Sequence, residues 1–364
     1  MSFLAFGPIL IHSSAYAIDP TSAFTSLPSR FTTNQLTAGS RALGETCYSR
    51  GVMPDGTVCD PAYLDELGEG FLMARAYVGN GYSALSTANQ LIFQPVTQQF
   101  LQSLFTTQNV TTFEANLEVL FTAKYFSASF SPFRVQYFSE VHNPDLPVIA
   151  VQAAVERRLA FAGEYPGSSV SPALKDFSIG TDLRLIQRNY VHAEFTLAAV
   201  IATSDSSSLQ ALAPSQTQYA LLFDPAIAWR PANLPWKIHA SLGVVNLGKD
   251  FPTDPIYPDT TDLAFGLGVE PPLGPGSLRL GVDLVNLLHP DTSDDGGDSF
   301  FRFGASYKYG LLEAMVGLTE NTTTFGMHFN FAWIQTAIVY EFNRTEIEGV
   351  TSSNEISTEL DIRL

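Results

Sequence analysis

The last nine residues constrain the fold more than any other stretch. Ile356, Thr358, Leu360, Ile362 and Leu364 share one parity, while Ser357, Glu359, Asp361 and Arg363 share the other. A strand points successive side chains to opposite faces, so this segment presents an oily face and a charged one. The pattern recurs about fourteen times from residue 69 to the end, with almost no helix to cover the oily faces, as in an outer-membrane barrel. Phe113, Ala115, Leu117, Val119 and Phe121 alternate with Glu114, Asn116 and Glu118. Val191, Ala193, Phe195, Leu197 and Ala199 oppose His192, Glu194 and Thr196, and Phe325, Met327, Phe329 and Phe331 oppose Thr324, His328 and Asn330.

A hydrophobic fraction of 45% and a mean hydropathy of +0.09 exclude disorder. No run approaches the roughly 20 apolar residues a spanning helix needs. Backbone groups in lipid must be paired internally, which leaves a closed barrel as the spanning structure. The expected fold is all-β and transmembrane, an antiparallel up-and-down β-barrel of about 14 strands over residues 69–364.

Residues 1–17 read as an export signal: an apolar core over 3–11, then Ala15-Tyr16-Ala17 in the small-x-small cleavage pattern. No Lys or Arg precedes the core, which departs from the usual pattern. Residues 18–68 are mixed and turn-rich, a compact segment stapled by Cys47 and Cys59. In an exported chain such a pair is expected to form a disulfide, and no His lies near to make a metal site. The net charge of −17 argues against nucleic acid as a partner.

Within 81–108 the period changes. Leu85, Ala88, Leu91 and Ile92 fall on one helical face and, after Pro95, so do Phe100, Leu101, Leu104 and Phe105. Two short amphipathic helices are expected there. Connections sort by length, as barrels do. Short ones are read at 143–147, 188–190, 230–235, 271–276, 309–310 and 332–333, and are assigned to the periplasmic rim. Long polar ones are read at 163–176, 204–218, 248–262, 289–299 and 343–354, and are assigned outside; 319–322 is expected as a short external loop.

Several stretches near the end carry a family texture: Phe303-Gly304-Ala305-Ser306-Tyr307-Lys308-Tyr309, residues 311–317, Thr323-Thr324-Phe325-Gly326-Met327 and Ile356-Ser357-Thr358-Glu359-Leu360. Together with Gly39-Ser40-Arg41-Ala42-Leu43-Gly44 and Asp60-Pro61-Ala62-Tyr63-Leu64, they resemble the FadL-like outer-membrane barrels. That group includes TraF-like and PorV-type proteins and, more distantly, long-chain fatty-acid transporters. The cysteine pair and the terminal Leu364 depart from its pattern. The resemblance implies a fourteen-stranded barrel whose N-terminal segment, 18–68, folds back as a hatch. In the fatty-acid transporters a hatch and a kinked strand route hydrophobic cargo sideways into the bilayer.

The polar parity carries both signs: Glu114, Glu118, Arg134, Glu156, Arg158, Asp182, Arg184, Glu194, Lys237, Arg279, Asp283, Arg302 and Lys308. A selectivity lining is one reading. A lumen-filling network of ion pairs is preferred, because mixed signs select poorly for either ion. His239 with Ser241, and His192 with Glu194, are i, i+2 neighbours on strands and stand too far apart for a nucleophile and its base, so no enzyme is expected. The acidic stretch 289–299 lacks the spacing of a known calcium loop.

The expectation is an outer-membrane protein of a Gram-negative cell, in contact with outer-membrane lipid. It would pass small, hydrophobic, fatty-acid-like molecules passively and without a cofactor. Leu91, Ile92, Phe100, Leu101, Leu104 and Phe105 are candidates to bind cargo, or else they pack on the wall as a lid. The alternative is a closed barrel serving as anchor or adaptor for an envelope protein complex.

Overall fold

The computed structural model describes residues 35–68, 70–79, 82–105, 110–142, 147–203, 206–234, 236–255, 257, 259–288, 301–320, 322–343 and 354–364. The export signal and the 289–299 stretch lie outside the described residues. The strands are β1 (Phe71–Gly79), β2 (Val110–Ala123), β3 (Phe126–His142), β4 (Val148–Pro166), β5 (Phe177–Thr196), β6 (Ser215–Trp229), β7 (His239–Val245) and β8 (Leu247–Phe251). They continue as β9 (Asp262–Val269), β10 (Ser277–Leu284), β11 (Phe301–Tyr309), β12 (Leu312–Thr319), β13 (Thr322–Phe331), β14 (Ile334–Asn343) and β15 (Glu355–Arg363).

All fifteen join one sheet. Pairing of β1 with β15 and of β5 with β6 closes it, leaving every stave an antiparallel neighbour on each side. β7 and β8 both pair with β6, whereas only β7 pairs with β9. They are two halves of one stave, bent at Asn246 with φ 57°, so the wall has fourteen. A second irregularity lies in β3, whose register slips against β2 between Leu117 and Val119 and against β4 between Ser131 and Arg134. One extra residue sits there around Pro132, which has no N–H to give the ladder.

Alternation meets two environments. On β13 the outward Phe325 is 48% exposed while the inward His328 is 3% exposed. Leu72, Phe121, Phe130, Leu183, Ile227 and Ile338 likewise stand out from the wall. On β2–β5 the outward parity near one end is buried instead. Phe113, Val135, Ile149, Val191 and Phe195 lie beneath helices α2 (Tyr82–Phe93), α3 (Gln98–Leu104), α4 (Leu197–Ala202) and α5 (Ser206–Leu212), with α1 (Ala38–Ala42) belonging to the N-terminal segment. Strand length supplies the reason. β3, β4 and β5 run 17, 19 and 20 residues, and at about 3.3 Å per residue they overshoot a hydrocarbon layer of about 30 Å even when tilted. The overshooting apolar face needs cover, and each Leu or Phe hidden there contributes about 2 kcal/mol. Thr97 starts α3 by accepting from the Phe100 amide at 3.3 Å.

Several readings of the sequence change, among them Leu197 and Ala199, which begin α4 and do not continue a strand, and residues 248–251, which belong to β8 and not to a loop. Residues 188–190 are the middle of β5, because Arg188 and Tyr190 continue its alternation instead of turning. The β3–β4 connection lies at the same end as α2–α5, and the β4–β5 connection at the opposite, inner end where β1 starts and β15 finishes. The assigned rims of 143–147 and 163–176 are therefore exchanged. The 204–218 region includes α5, a helix the polar composition concealed. Lys237 lies outside any strand, with φ 42°.

Candidate functional site

Residues 35–68 thread the lumen, and glycines decide where they touch the wall. Gly268, Gly281, Gly304 and Gly317 pair in register across β9, β10, β11 and β12, all facing inward. A Cβ on Gly317 would stand 2.0 Å from the Gly44 amide nitrogen, and one on Gly304 2.2 Å from Thr46 Oγ1. On Gly268 it would meet the Ser49 carbonyl at 2.1 Å. The row is a bare track on which the backbone of residues 43–49 lies directly. Asp283, just above it on β10, accepts from the amides of Cys47, Tyr48 (2.8 Å) and Ser49 (2.7 Å). A carboxylate held by successive amides is a strong, charge-assisted anchor. Ser241 Oγ donates to the Tyr48 carbonyl at 2.8 Å and His239 Nε2 meets that of Ser49, so both hold the hatch. Cys47 and Cys59 are joined as a disulfide.

The far end of the segment is a 3-10 helix, Pro61–Leu67, on the opposite wall. Asp60 caps it through the Ala62 amide at 2.8 Å, and Ser178 Oγ donates to the Ala62 carbonyl at 2.6 Å. Burial pushes the Asp60 carboxyl up to about 6. Arg230 closes the inner end, reaching Glu164 at 3.0 Å and also Asp65.

Elsewhere side chains span the gap between hatch and wall. Arg75 of β1, fully buried, gathers Asp55 (3.4 Å), Glu118 (3.0 Å), Glu359 (3.6 Å) and Asp361 (3.1 Å). Arg41 pairs with Glu45 and Glu114, and Arg302 with Glu45 at 3.4 Å. On β3–β6 the pairs leave out the hatch: Arg134–Glu156 at 3.1 Å, Arg188 with Glu156 and with Asp259 of the β8–β9 connection, and Arg184 with Asp182 and Asp224.

Between these arginines and the hatch lies a cavity of about 120 Å³ lined by Arg134, Glu156, Arg158, Arg188, Asp224 and Tyr257. A narrower space of about 50 Å³ continues from Arg134 and Arg158 past Ser131, Ser129 and Ser127 toward the inner end. Over its outer end, Tyr257 meets the Tyr190 ring at 5.0 Å and lies under Arg188 at 4.4 Å.

Of the residues singled out by parity, Glu114, Glu118, Arg134, Glu156, Arg158, Asp182, Arg184, Asp283 and Arg302 face the lumen as described. Arg279 also faces inward, pairing with Glu270 at 2.7 Å, and the exposed Lys237 reaches Glu270 at 3.1 Å. Glu194 stands exposed at the outer rim. Leu91, Leu101 and Leu104 are buried against the outer wall, with Phe100 at 8% exposure and Ile92 and Phe105 packed partly against the same cluster. These six offer no open groove, and cargo could meet them only if the helices parted. Sequence reasoning passed over Arg75, Arg188 and the glycine row. The signal was available: glycine recurs at the polar parity of four successive strands.

No family model matches the chain, and no curated protein matches it. Among solved structures, the monoaromatic hydrocarbon channel CymD is similar over 91% of this chain and 97% of its own, at 10% identity and a TM-score of 0.50. The Pseudomonas putida toluene transporter TodX covers 93% of this chain and 98% of its own at 9% identity and a TM-score of 0.48. For the Ralstonia pickettii toluene transporter TbuX the shares are 92% and 99%, at 9% identity and a TM-score of 0.48. At such identities the likeness to CymD shows a common barrel fold and nothing finer.

Proposed function

We propose that the protein is an outer-membrane channel that passes small hydrophobic molecules by diffusion, with the start of β1 and the end of β15 on the periplasmic side. The observation that carries this reading is the break in β3. Around Pro132 one extra residue interrupts pairing with both β2 and β4, beside the Arg158 row that lines the cavity. A molecule reaching the cavity past Tyr257 would leave sideways at that break, into the bilayer, without displacing the hatch. The sequence resemblance supports the same route, and the fold shared with CymD, a monoaromatic hydrocarbon channel by name, supports the class of cargo. Helices α2 and α3 serve in this reading as cover for the projecting strands.

The test is toluene flux into liposomes holding the purified barrel. Deleting Pro132 removes the extra residue and brings β3 into one register with both neighbours. The barrel is expected to fold and the flux to fall to that of empty liposomes. Undiminished flux in the deletion variant, or none above background in the parent, contradicts the proposal.

A further inference from the structure

Charged side chains described on the strands face the lumen, with two exceptions. Arg157 alternates outward with Leu159 and Phe161 on β4, and Lys249 with Leu247 and Phe251 on β8. Both are cations, in a chain of net charge −17. They flank one feature of the outer wall, an apolar groove of about 330 Å³ lined by Phe130, Leu159, Leu185, Tyr219, Leu221 and Phe251. The register fixes the layout. Arg157, Gln187, Tyr219 and Phe251 form one cross-strand row, and Leu159, Leu185, Leu221 and Lys249 the next. A cation thus stands at opposite ends of two adjacent rows, with the groove between.

Height decides which part of the bilayer they meet. Arg157 is eight positions along β4 from Tyr165, which is 55% exposed at the inner end. At about 3.3 Å per residue and a tilt of about 40°, that is about 20 Å, close to the outer edge of an apolar band about 25 Å tall. Val155, the next outward residue up β4, already packs partly against the helical cover. The groove therefore lies against lipid, with Arg157 near headgroup level. No described residue forms an ion pair with Arg157, and Lys249 lies 5.4 Å from the Phe251 ring. A guanidinium there matches phosphate oxygens in a bidentate fork, and both long side chains can snorkel to a headgroup while their stems stay on the wall.

We propose that this groove is a binding site for one acylated, phosphate-bearing lipid of the outer leaflet. Acyl chains lie along Leu159, Leu185 and Leu221, and phosphate oxygens take the Arg157 and Lys249 donors. The site faces away from the lumen and adjoins the proposed exit, since Arg157 lies opposite the extra residue of β3; lipid retention is read separately from flux, so either proposal can fail alone.

Native mass spectrometry of the full chain in nonionic detergent tests it, using hexa-acyl lipid A with two phosphates, the same lipid dephosphorylated, and inorganic phosphate. The parent is expected to hold one phosphorylated lipid about tenfold more tightly than the dephosphorylated one. The double variant Arg157→Gln with Lys249→Gln is expected to lose that preference, and Arg157→Lys to retain most of it. Heat-modifiable electrophoretic mobility verifies folding, and the single variant Arg157→Gln, expected to lose severalfold, serves if the double variant does not insert. Equal retention of the two lipids, parental binding by the glutamine variants, or displacement of the lipid by millimolar inorganic phosphate overturns the proposal.

Discussion

Along β9–β12 the hatch lies on the wall itself, because four inward glycines admit its backbone at Gly268 and Gly317 and the short side chains of Ser49 and Thr46 at Gly281 and Gly304. Across the lumen, on β3–β6, inward positions carry Arg134, Glu156, Arg158, Asp182, Arg184 and Arg188, and a cavity separates them from the hatch. Strand length follows the same division: β9–β12 run 8 or 9 residues, against 15 to 20 for β3–β6. Where the wall gives up its side chains, the plug is seated by close approach and by amides on Asp283. Where it keeps long charged ones, they act as spacers. The ion pairs then hold one another and need not hold the hatch. The plug is thus seated along β9–β12 and again at the inner end, where Ala62 lies against Gly180 and Ser178 of β5, with the cavity between the two seats.

The largest effect is expected at Arg75, whose guanidinium satisfies four acids at once. Arg75→Met strands those carboxylates in a buried site and should cost about 4 kcal/mol in unfolding experiments in detergent. A cost under about 1 kcal/mol would mean that the acids are solvated and the plug is looser than described. The glycine track comes next. Gly317→Val places carbon against the Gly44 amide, where no flexible side chain can yield, and about 3 kcal/mol of destabilisation is expected, with raised permeability to hydrophilic dyes. Gly163→Val is the control, since nothing lies within 4 Å of its Cβ position, and it should change neither.

Leu101→Ala probes the helical cover. Leu101 is 0% exposed, so a cost of about 3 kcal/mol is expected for the cavity left behind. Hydrogen exchange should rise in α2–α5 but not in residues 38–49; spread to the hatch would show that the two regions are not separate. The smallest effect is one of pH. Burial raises the Asp60 carboxyl from an ordinary 3.8 to about 6, so the folded state binds its proton more readily than the unfolded one. Stability gained this way is present at low pH and lost as pH rises through about 6, a change of about 2 kcal/mol between pH 4.5 and 7. Asp60→Asn should remove that part of the pH dependence, and an unchanged profile would place the carboxyl in contact with water.

Parity alone identified the barrel, because alternation over ten residues reports directly on two faces of a wall. It also sorted most inward charges, since Glu114, Arg134 and Asp283 could not face lipid. It could not tell lipid from a covering helix. Phe113 and Phe195 have the outward parity of Phe325, yet they pack under α2–α5, and only the length of β3–β5 distinguishes them. Turns were misread where a polar pair such as Arg188 and Asn189 continued a strand. The partnership of Arg75 with residues from β2, β15 and the hatch depends on closure of the ring, which no local pattern encodes. Glycine at polar parity was visible, but reads as a weak strand until the hatch is set against it.

On the proposed route the hatch stays seated along β9–β13 while molecules pass on the other side of the lumen. Thr324 Oγ1 donates to the Ala42 carbonyl at 3.0 Å, so the two positions are neighbours and a short thiol-reactive cross-linker between cysteines placed there tethers the hatch to β13. Toluene flux through the cross-linked Ala42→Cys, Thr324→Cys double variant in liposomes decides whether the hatch has to move. Flux equal to that of the untethered parent is predicted; flux reduced to that of empty liposomes would show that the hatch must move.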